Sequence, residues 1–370
     1  MKNHFAIVLL IFIFSNVCAQ KSNFNLLIGT YTQKCENKGI YTCDFNTKTG
    51  DFSIKNSTEN VVNPSFLTVS KDNTFVYSVN EFGAASTVSS FGFNSTTGKL
   101  DEINKQNSKG ADPCYIINDD KNVIVANYTG GSISVFEKNK DGSLAEAKQV
   151  VQHYGKGSNI QRQESPHVHM VHFSPDKKFV FATDLGNDKI YVYSYFPEEA
   201  NTVLKLRDTI SLASGSGPRH LTFSKNGKFV YVLQELNGAL TVFGNTNGLL
   251  KKIEETTVLA KDFKGTFSAA DIHISPDGKF LYTTNRGEAN NITIFKILNN
   301  GKLYLQGQTS TLGKGPRNFA IDPTGNFLLI ANQFTNEVVI FKRNKTTGAL
   351  IDTGKKIILC APVCLVFIKK

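Results

Sequence analysis

Beyond its first twenty residues, the 370-residue chain has no apolar run long enough to cross a membrane. No membrane span is therefore expected in the mature protein. Despite a formal charge of +10, no dense basic stretch carries interleaved aromatics; the lysines are scattered through turns such as "SKDN", "SPDKK" and "SKNGK". A nucleic-acid partner is not expected, and the charge reads as a solvated surface, with attraction for an anionic ligand as the alternative. The six cysteines fit no zinc spacing. No Gly-x-Ser-x-Gly stretch occurs, so a serine nucleophile on a strand-to-helix elbow has no support. Helical periodicity of any length is missing too, which excludes α and α/β architectures.

What the N-terminus does contain is "MKNHFAIVLLIFIFSNVCAQ": one cation at Lys2, an apolar run from Phe5 to Phe14, and a short polar approach to Val17-Cys18-Ala19. That is the layout of a cleaved secretory signal over residues 1–19, with the mature chain starting at Gln20. Export to the periplasm or the medium is expected. Cys18 offers lipidation as an alternative, but Ser15-Asn16-Val17 is a poor small-residue approach to it. Cys35, Cys43, Cys114, Cys360 and Cys364 survive cleavage, so one disulfide is plausible and at least one thiol stays unpaired.

The rest of the chain repeats. "NPSFLTVSKDNTFVYSVNEFG" at Pro64 returns as "DPCYIINDDKNVIVANYTG" at Pro113, "SPHVHMVHFSPDKKFVFATDLG" at Pro166 and "GPRHLTFSKNGKFVYVLQELNG" at Pro218. It returns again as "SAADIHISPDGKFLYTTNRGE" near Ala270, "GPRNFAIDPTGNFLLIANQFTN" at Pro316 and a truncated "APVCLVFIKK" at Pro362. Two-residue alternation rich in Phe, Val, Ile and Tyr marks strands, while "KNGK", "PDGK" and "PTGN" mark hairpin turns. A third and a weaker fourth strand follow in each unit. A unit of roughly fifty residues repeated this often means stacked blades of one domain over residues 20–370, not separate domains.

Six complete units follow Pro64, and the seventh has only its first strand. "NFNLLIGTYT", "KGIYTCDFN" and "DFSIKNS" supply the missing second, third and fourth strands from the other end of the chain. The expected fold is all-β: a seven-bladed β-propeller with four antiparallel strands per blade, closed by the N- and C-terminal strands in one blade. Cys35, Cys43, Cys360 and Cys364 all fall in that composite blade, where a disulfide could staple the ring.

In a propeller, the start of each first strand and the end of each second strand meet at one mouth of the central channel. Aligning the units on Phe173, Phe223, Ile274 and Ile321 puts His169, Arg219, Ala270 and Arg317 on equivalent rungs of the first strand. Six residues after the leading Phe of the second strand stand Glu81, Leu185, Glu235, Arg286 and Gln333. These charges are either solvated rim residues or a converging site; crowded arginines repel one another without an anion, which favours a site. Arg219 is placed at the channel mouth, outside the inter-blade packing. His167 shares a strand face with His169, which invites a metal, yet no third and fourth ligand stand nearby. No metal and no cofactor are called for. His172 and His273 read as satisfied core histidines.

These residues resemble a known family, the seven-bladed lactonases of the bacterial 6-phosphogluconolactonase type, to which fungal carboxymuconate-lactonising enzymes are related. "GTYT", the "PHVH" strand, "GPRH", "LQELNG", "TNRG" and "GPRNFAIDPTGNFLLIANQ" carry the likeness, which covers nearly the whole mature chain. The resemblance implies a metal-independent lactonase whose chemistry is served by His169 or His167, Arg219, Glu235 and Arg286. It implies an anionic sugar lactone as the small-molecule partner and 6-phosphogluconolactone or a related unphosphorylated lactone as substrate. The export signal stands against the phosphosugar, which belongs in the cytoplasm.

For lactone hydrolysis, His169 or Glu235 is the candidate base and Arg219 the oxyanion donor, these three being the catalytic set. Arg286, Arg317, His167 and Glu81 are candidate substrate-binding residues. The expected state is a monomer. Two readings compete: a non-catalytic propeller acting as ligand sensor or protein-docking platform, which would show exposed aromatics around one face, and a calcium-dependent lactonase.

Overall fold

The computed structural model describes residues 22–33 and 35–369; the proposed signal and Cys18 lie outside them. Within these residues, the outermost strands, such as Leu144–Gln152 and Leu204–Ser211, mix buried or half-buried with exposed positions while second strands such as Asn122–Asn127 and Phe327–Asn332 are buried throughout, and only two single 3₁₀ turns, Gly83–Ala85 and Leu185–Asn187, interrupt the strands. The strands form seven four-stranded antiparallel sheets. Six are continuous in sequence, over residues 66–107, 113–152, 168–211, 218–257, 267–310 and 316–358; they are numbered blades 1 to 6 here. Blade 7 joins Pro362–Lys369 to Asn23–Thr30, Ile40–Asn46 and Phe52–Ser57.

Closure follows from pairing across that joint. Phe24 faces Lys369 and Gly29 faces Cys364, so the two chain ends complete one ladder and the Asn23–Thr30 strand is paired on both sides. Gly29 is required there, since a Cβ on it would collide with the Pro64 carbonyl at the entry to blade 1. A Cys35–Cys360 disulfide links the same two chain ends, with Cα atoms 6.6 Å apart, while Cys43, Cys114 and Cys364 are buried free thiols.

Apolar side chains of each sheet pack on the next sheet round the ring. Tyr231 and Tyr282, both fully buried, reach across to the following blade, where their hydroxyls donate to the carbonyls of Gly301 (3.0 Å) and Gly348 (2.7 Å). The expected hairpin turns are present; Gly278, for instance, sits at φ +75°, a conformation costly for residues with a Cβ.

The innermost strands share a device that the repeat does not reveal. In blades 2, 3, 4, 6 and 7 the pairing of first and second strand slips by one residue, skipping Cys114, His169, Arg219, Arg317 and Val363. In blade 5 it skips Ala270 and Asp271. A bulge of this kind frees one residue from the ladder and re-aims its side chain.

Candidate active site

In blades 2, 4, 6 and 7 the skipped residue directly follows a Pro, and in blades 2, 3, 4 and 6 the bulge presents it (Cys114, His169, Arg219 and Arg317) at one mouth of the channel. The other half of the site comes from the residue just past each second strand. There a buried polar residue stands at or near the strand end (Thr30, Asn80, Asn127, Asp184, Gln234, Asn285, Asn332), and in five blades the next side chain (Tyr31, Glu81, Tyr128, Glu235, Arg286) turns inward. Together the two rungs enclose a pocket of about 260 Å³ lined by Tyr31, Glu81, Cys114, Tyr128, His169, Arg219, Glu235, Arg286 and Arg317. Arg162, from the long connection between blades 2 and 3, closes its side.

Glu235 is the centre of the charge pattern. Its carboxylate is buried and meets Arg162 Nη2 at 2.7 Å, Arg219 Nη1 at 3.0 Å and Arg286 Nη2 at 3.1 Å. Burial alone would favour the neutral acid, but Arg286, Arg219 and Arg162 outweigh it and hold the carboxyl far below the usual carboxylate range. Arg219 also donates from Nε to the Ala270 carbonyl of blade 5 (2.7 Å) and from Nη1 to His169 Nε2. Arg286 is fixed by the Ser268 hydroxyl at 2.7 Å. Arg317 makes no hydrogen bond among the described residues and stands over the Tyr31 ring, 5.3 Å from its centroid.

His169 is buried and neutral: desolvation, and then the charges of Arg219, His220 and Arg317, push its pKa well below 6.5. Its Nδ1 lies 3.7 Å from the Cys114 thiol, which burial keeps protonated. Opposite stands Glu81, whose carboxylate accepts from the Tyr31 hydroxyl at 3.0 and 3.1 Å. Burial raises the Glu81 pKa against the pull of Arg317. Behind the pocket, the channel holds a further polar column. The His169 and His220 rings meet edge to face at 5.2 Å, and Asp271 accepts from His220 (2.8 Å), His273 (2.9 Å) and Asn318 (2.6 Å).

The structure brings together His169, Arg219, Glu235, Arg286, Arg317 and Glu81, all expected from the repeat. Four expectations change. His167 is not on the pocket wall: its ring stacks 4.4 Å behind Tyr128, with Nδ1 on the Tyr128 carbonyl and Nε2 3.2 Å from Glu164. The strand's bulge turns His169 away from it, so the two imidazoles share no centre. Arg219 is no rim residue either, since it is buried and ties blade 4 to blade 5. His273 is satisfied by Asp271 but is partly exposed, not a core residue. His172 is satisfied by the Phe173 carbonyl at 2.7 Å but is likewise only partly buried. Among the described residues, no group of three His, Cys, Asp or Glu is placed to hold a metal ion.

Tyr31, Tyr128, Cys114 and Arg162 were missed. Tyr31 and Tyr128 occupy the same rung as Glu81 and Glu235, but their second strands do not start with Phe, so the alignment passed over them; the buried polar residue ending each second strand would have found both. Cys114 follows Pro113 as Arg219 follows Pro218. Arg162 lies in a connection outside the repeat and left no such signal.

Against known proteins, the chain matches the family model described as "Lactonase, 7-bladed beta-propeller" over residues 25–367. It is 37% identical over 341 residues to the 6-phosphogluconolactonase of Formosa agariphila, covering 90% of this chain and 96% of that one. To the 6-phosphogluconolactonase of Bacillus subtilis it is 34% identical, covering 92% and 97%. Among solved structures, the periplasmic gluconolactonase of Pseudomonas aeruginosa superposes with a TM-score of 0.89 at 34% identity, covering 94% of this chain and 99% of that one.

Proposed function

The chain belongs to the seven-bladed β-propeller lactonase family and is a sugar-lactone hydrolase, and from that premise we propose that the hydrolysis takes place in the pocket centred on Glu235. The observation that carries this reading is a single carboxylate gripping three guanidiniums, one of which is also bonded to a neutral histidine. Glu235 does not serve as the base, because both of its carboxylate oxygens are already taken by Arg162, Arg219 and Arg286. Its role is to hold Arg219 and Arg286 side by side as oxyanion donors.

His169 is then the base. As the lactone carbonyl enters, Arg219 Nη1 transfers its hydrogen bond from His169 Nε2 to the carbonyl oxygen and frees that lone pair. Water loses a proton to Nε2 and its oxygen bonds the carbonyl carbon. The resulting oxyanion faces Arg219 and Arg286. Collapse breaks the ring C–O bond, and the imidazolium returns its proton to the departing alkoxide. The low pKa of His169 makes it a weak base but a strong acid, matched to that second step. Arg317, with its donors unpartnered, takes the substrate's polar or anionic substituents.

Export supports an unphosphorylated lactone. Three observations point outside the cytoplasm: the Lys2 to Ala19 segment, a disulfide of the kind that persists in oxidising compartments, and the periplasmic gluconolactonase among the similar structures. N-terminal sequencing of the protein from fractionated cells tests this, and Met1 retained on a cytoplasmic chain overturns it. The chemistry is tested by titrating acid release from gluconolactone with the wild type and with His169→Asn. A folded variant that keeps the wild-type kcat removes His169 from the mechanism.

A further inference from the structure

A second hollow opens beside the reactive pocket. It has a volume of about 320 Å³ and is lined by Tyr31, Gln33, Asn63, Glu81, Phe82, Gly83 and Asp112. Tyr31 and Glu81 line both spaces, so the two meet at the Tyr31–Glu81 hydrogen bond. The outer hollow is about as roomy as the inner one, and its chemistry is different. Arg162, Arg219, Arg286 and Arg317 line the inner pocket, whereas among the described residues no cation lines the outer one, which presents the carboxylates of Glu81 and Asp112. Asp112 is held rigidly, with Oδ1 accepting from the Gly83 amide at 2.7 Å. The Gln33 side chain makes no hydrogen bond among the described residues. Phe82 is 56% exposed, an aromatic side chain left open to solvent at the hollow's edge.

We propose that this outer hollow is a subsite for a neutral polyhydroxyl group, so that the preferred substrate is an aldonolactone extended by a further sugar unit and not one ending in phosphate. This inference rests on the lactonase reading of the inner pocket. Carboxylates and a free carboxamide accept from and donate to hydroxyls, and an exposed aromatic ring covers the apolar face of a sugar; a few convergent polar groups beside an aromatic wall are what fixes a ligand's orientation. A phosphate in the same place would meet two carboxylates and, among the described lining residues, no cation, with Arg317 on the inner side of the Tyr31–Glu81 boundary; like charges in a partly desolvated cleft are repelled. The inner pocket offers the opposite balance, with four guanidiniums against two carboxylates, which suits the oxyanion and the carboxylate product.

The test compares kcat/KM for gluconolactone, its 6-phosphate and the lactone of cellobionic acid, in the wild type, Phe82→Ala and Asp112→Asn. The expected result is that the wild type favours the glucosyl lactone over the phosphorylated one by at least about tenfold. Each variant then raises KM for the glucosyl lactone about fivefold or more, leaves gluconolactone within about twofold, and in Asp112→Asn narrows the discrimination against phosphate. Preference for the phosphorylated lactone, or variants that shift the glucosyl and plain lactones equally, overturns the subsite while leaving the lactonase reading intact. Absence of turnover on all three lactones by the folded wild type overturns both.

Discussion

Replacing Glu235 by Gln keeps the shape of the side chain and removes its charge, so it isolates what that charge does. In the wild type three guanidiniums lie within 2.7–3.1 Å of the carboxylate, in a pocket that also holds Arg317. Breaking one partner from a buried ionic cluster costs about 3–5 kcal/mol, because the charges left behind stay desolvated and uncompensated. Here three charges are left, but Arg162 is partly exposed and can swing to water, so the cost stays within that range instead of tripling. A loss of that size lowers the Tm by on the order of 5–10 °C. Added sulfate or phosphate should restore part of it, the anion taking the place of the missing carboxylate at millimolar concentration, whereas the wild type should respond less. Turnover should fall about a hundredfold or more, since Arg219 and Arg286 no longer point together at the carbonyl oxygen. Differential scanning fluorimetry across an anion titration, with lactone hydrolysis on the same samples, reads all three effects. A variant that melts with the wild type, ignores anions and keeps its rate would show that the arginines are held by something other than Glu235.

Three further outcomes are expected. Arg219→Lys should lose about a hundredfold in kcat, because a lysine cannot reach the Glu235 carboxylate, the Ala270 carbonyl and the substrate at once; it should also cost about 1–3 kcal/mol by leaving that buried carbonyl without a donor, and a stable, active variant in kinetics and urea unfolding would refute the clamp. Stability should fall on acidification: burial, opposed by the Asp271 bond, depresses the His220 pKa from 6.5 to about 4, so between those values the unfolded chain binds the extra proton and stability rises with pH. His220 alone then contributes about 3 kcal/mol that is full above pH 6.5 and lost towards pH 4, His169 acts in the same direction, His273 with its raised pKa acts in the opposite one, and urea titrations at pH 4.5 and 7.5 that coincide would refute it. Reduction of Cys35–Cys360, or Cys35→Ser, should destabilise the ring by up to about 5 kcal/mol, given a loop of 325 residues, with hydrogen exchange rising first in the Pro362–Lys369 strand; an unchanged melting curve after reduction would show that the blade 7 ladder closes the ring unaided.

The sequence alone determined the blade count and the closure. Two-residue alternation is a local consequence of pleating, and a turn such as "PDGK" needs only its own four residues, so a repeat built from these reads directly as Phe280–Gly287 and its counterparts. Counting six units plus two fragments was enough to bring Asn23–Thr30 beside Pro362–Lys369. His169, Arg219, Glu235, Arg286, Arg317 and Glu81 were legible for the same reason: equivalent positions in a ring face one axis. Tertiary structure decided what those residues do there. The bulge that ejects Arg219 between Pro218 and His220 is a defect in pairing with another strand, so it leaves no local pattern, and without it strict alternation treats His167 and His169 as equals. Arg162 reaches the site through a connection that obeys no repeat. The protonation states are also collective: burial alone would raise the Glu235 pKa, and only three arginines from three separate stretches of chain reverse it, since a buried charge takes its energy from every neighbour within a few ångströms and sequence spacing records none of those distances.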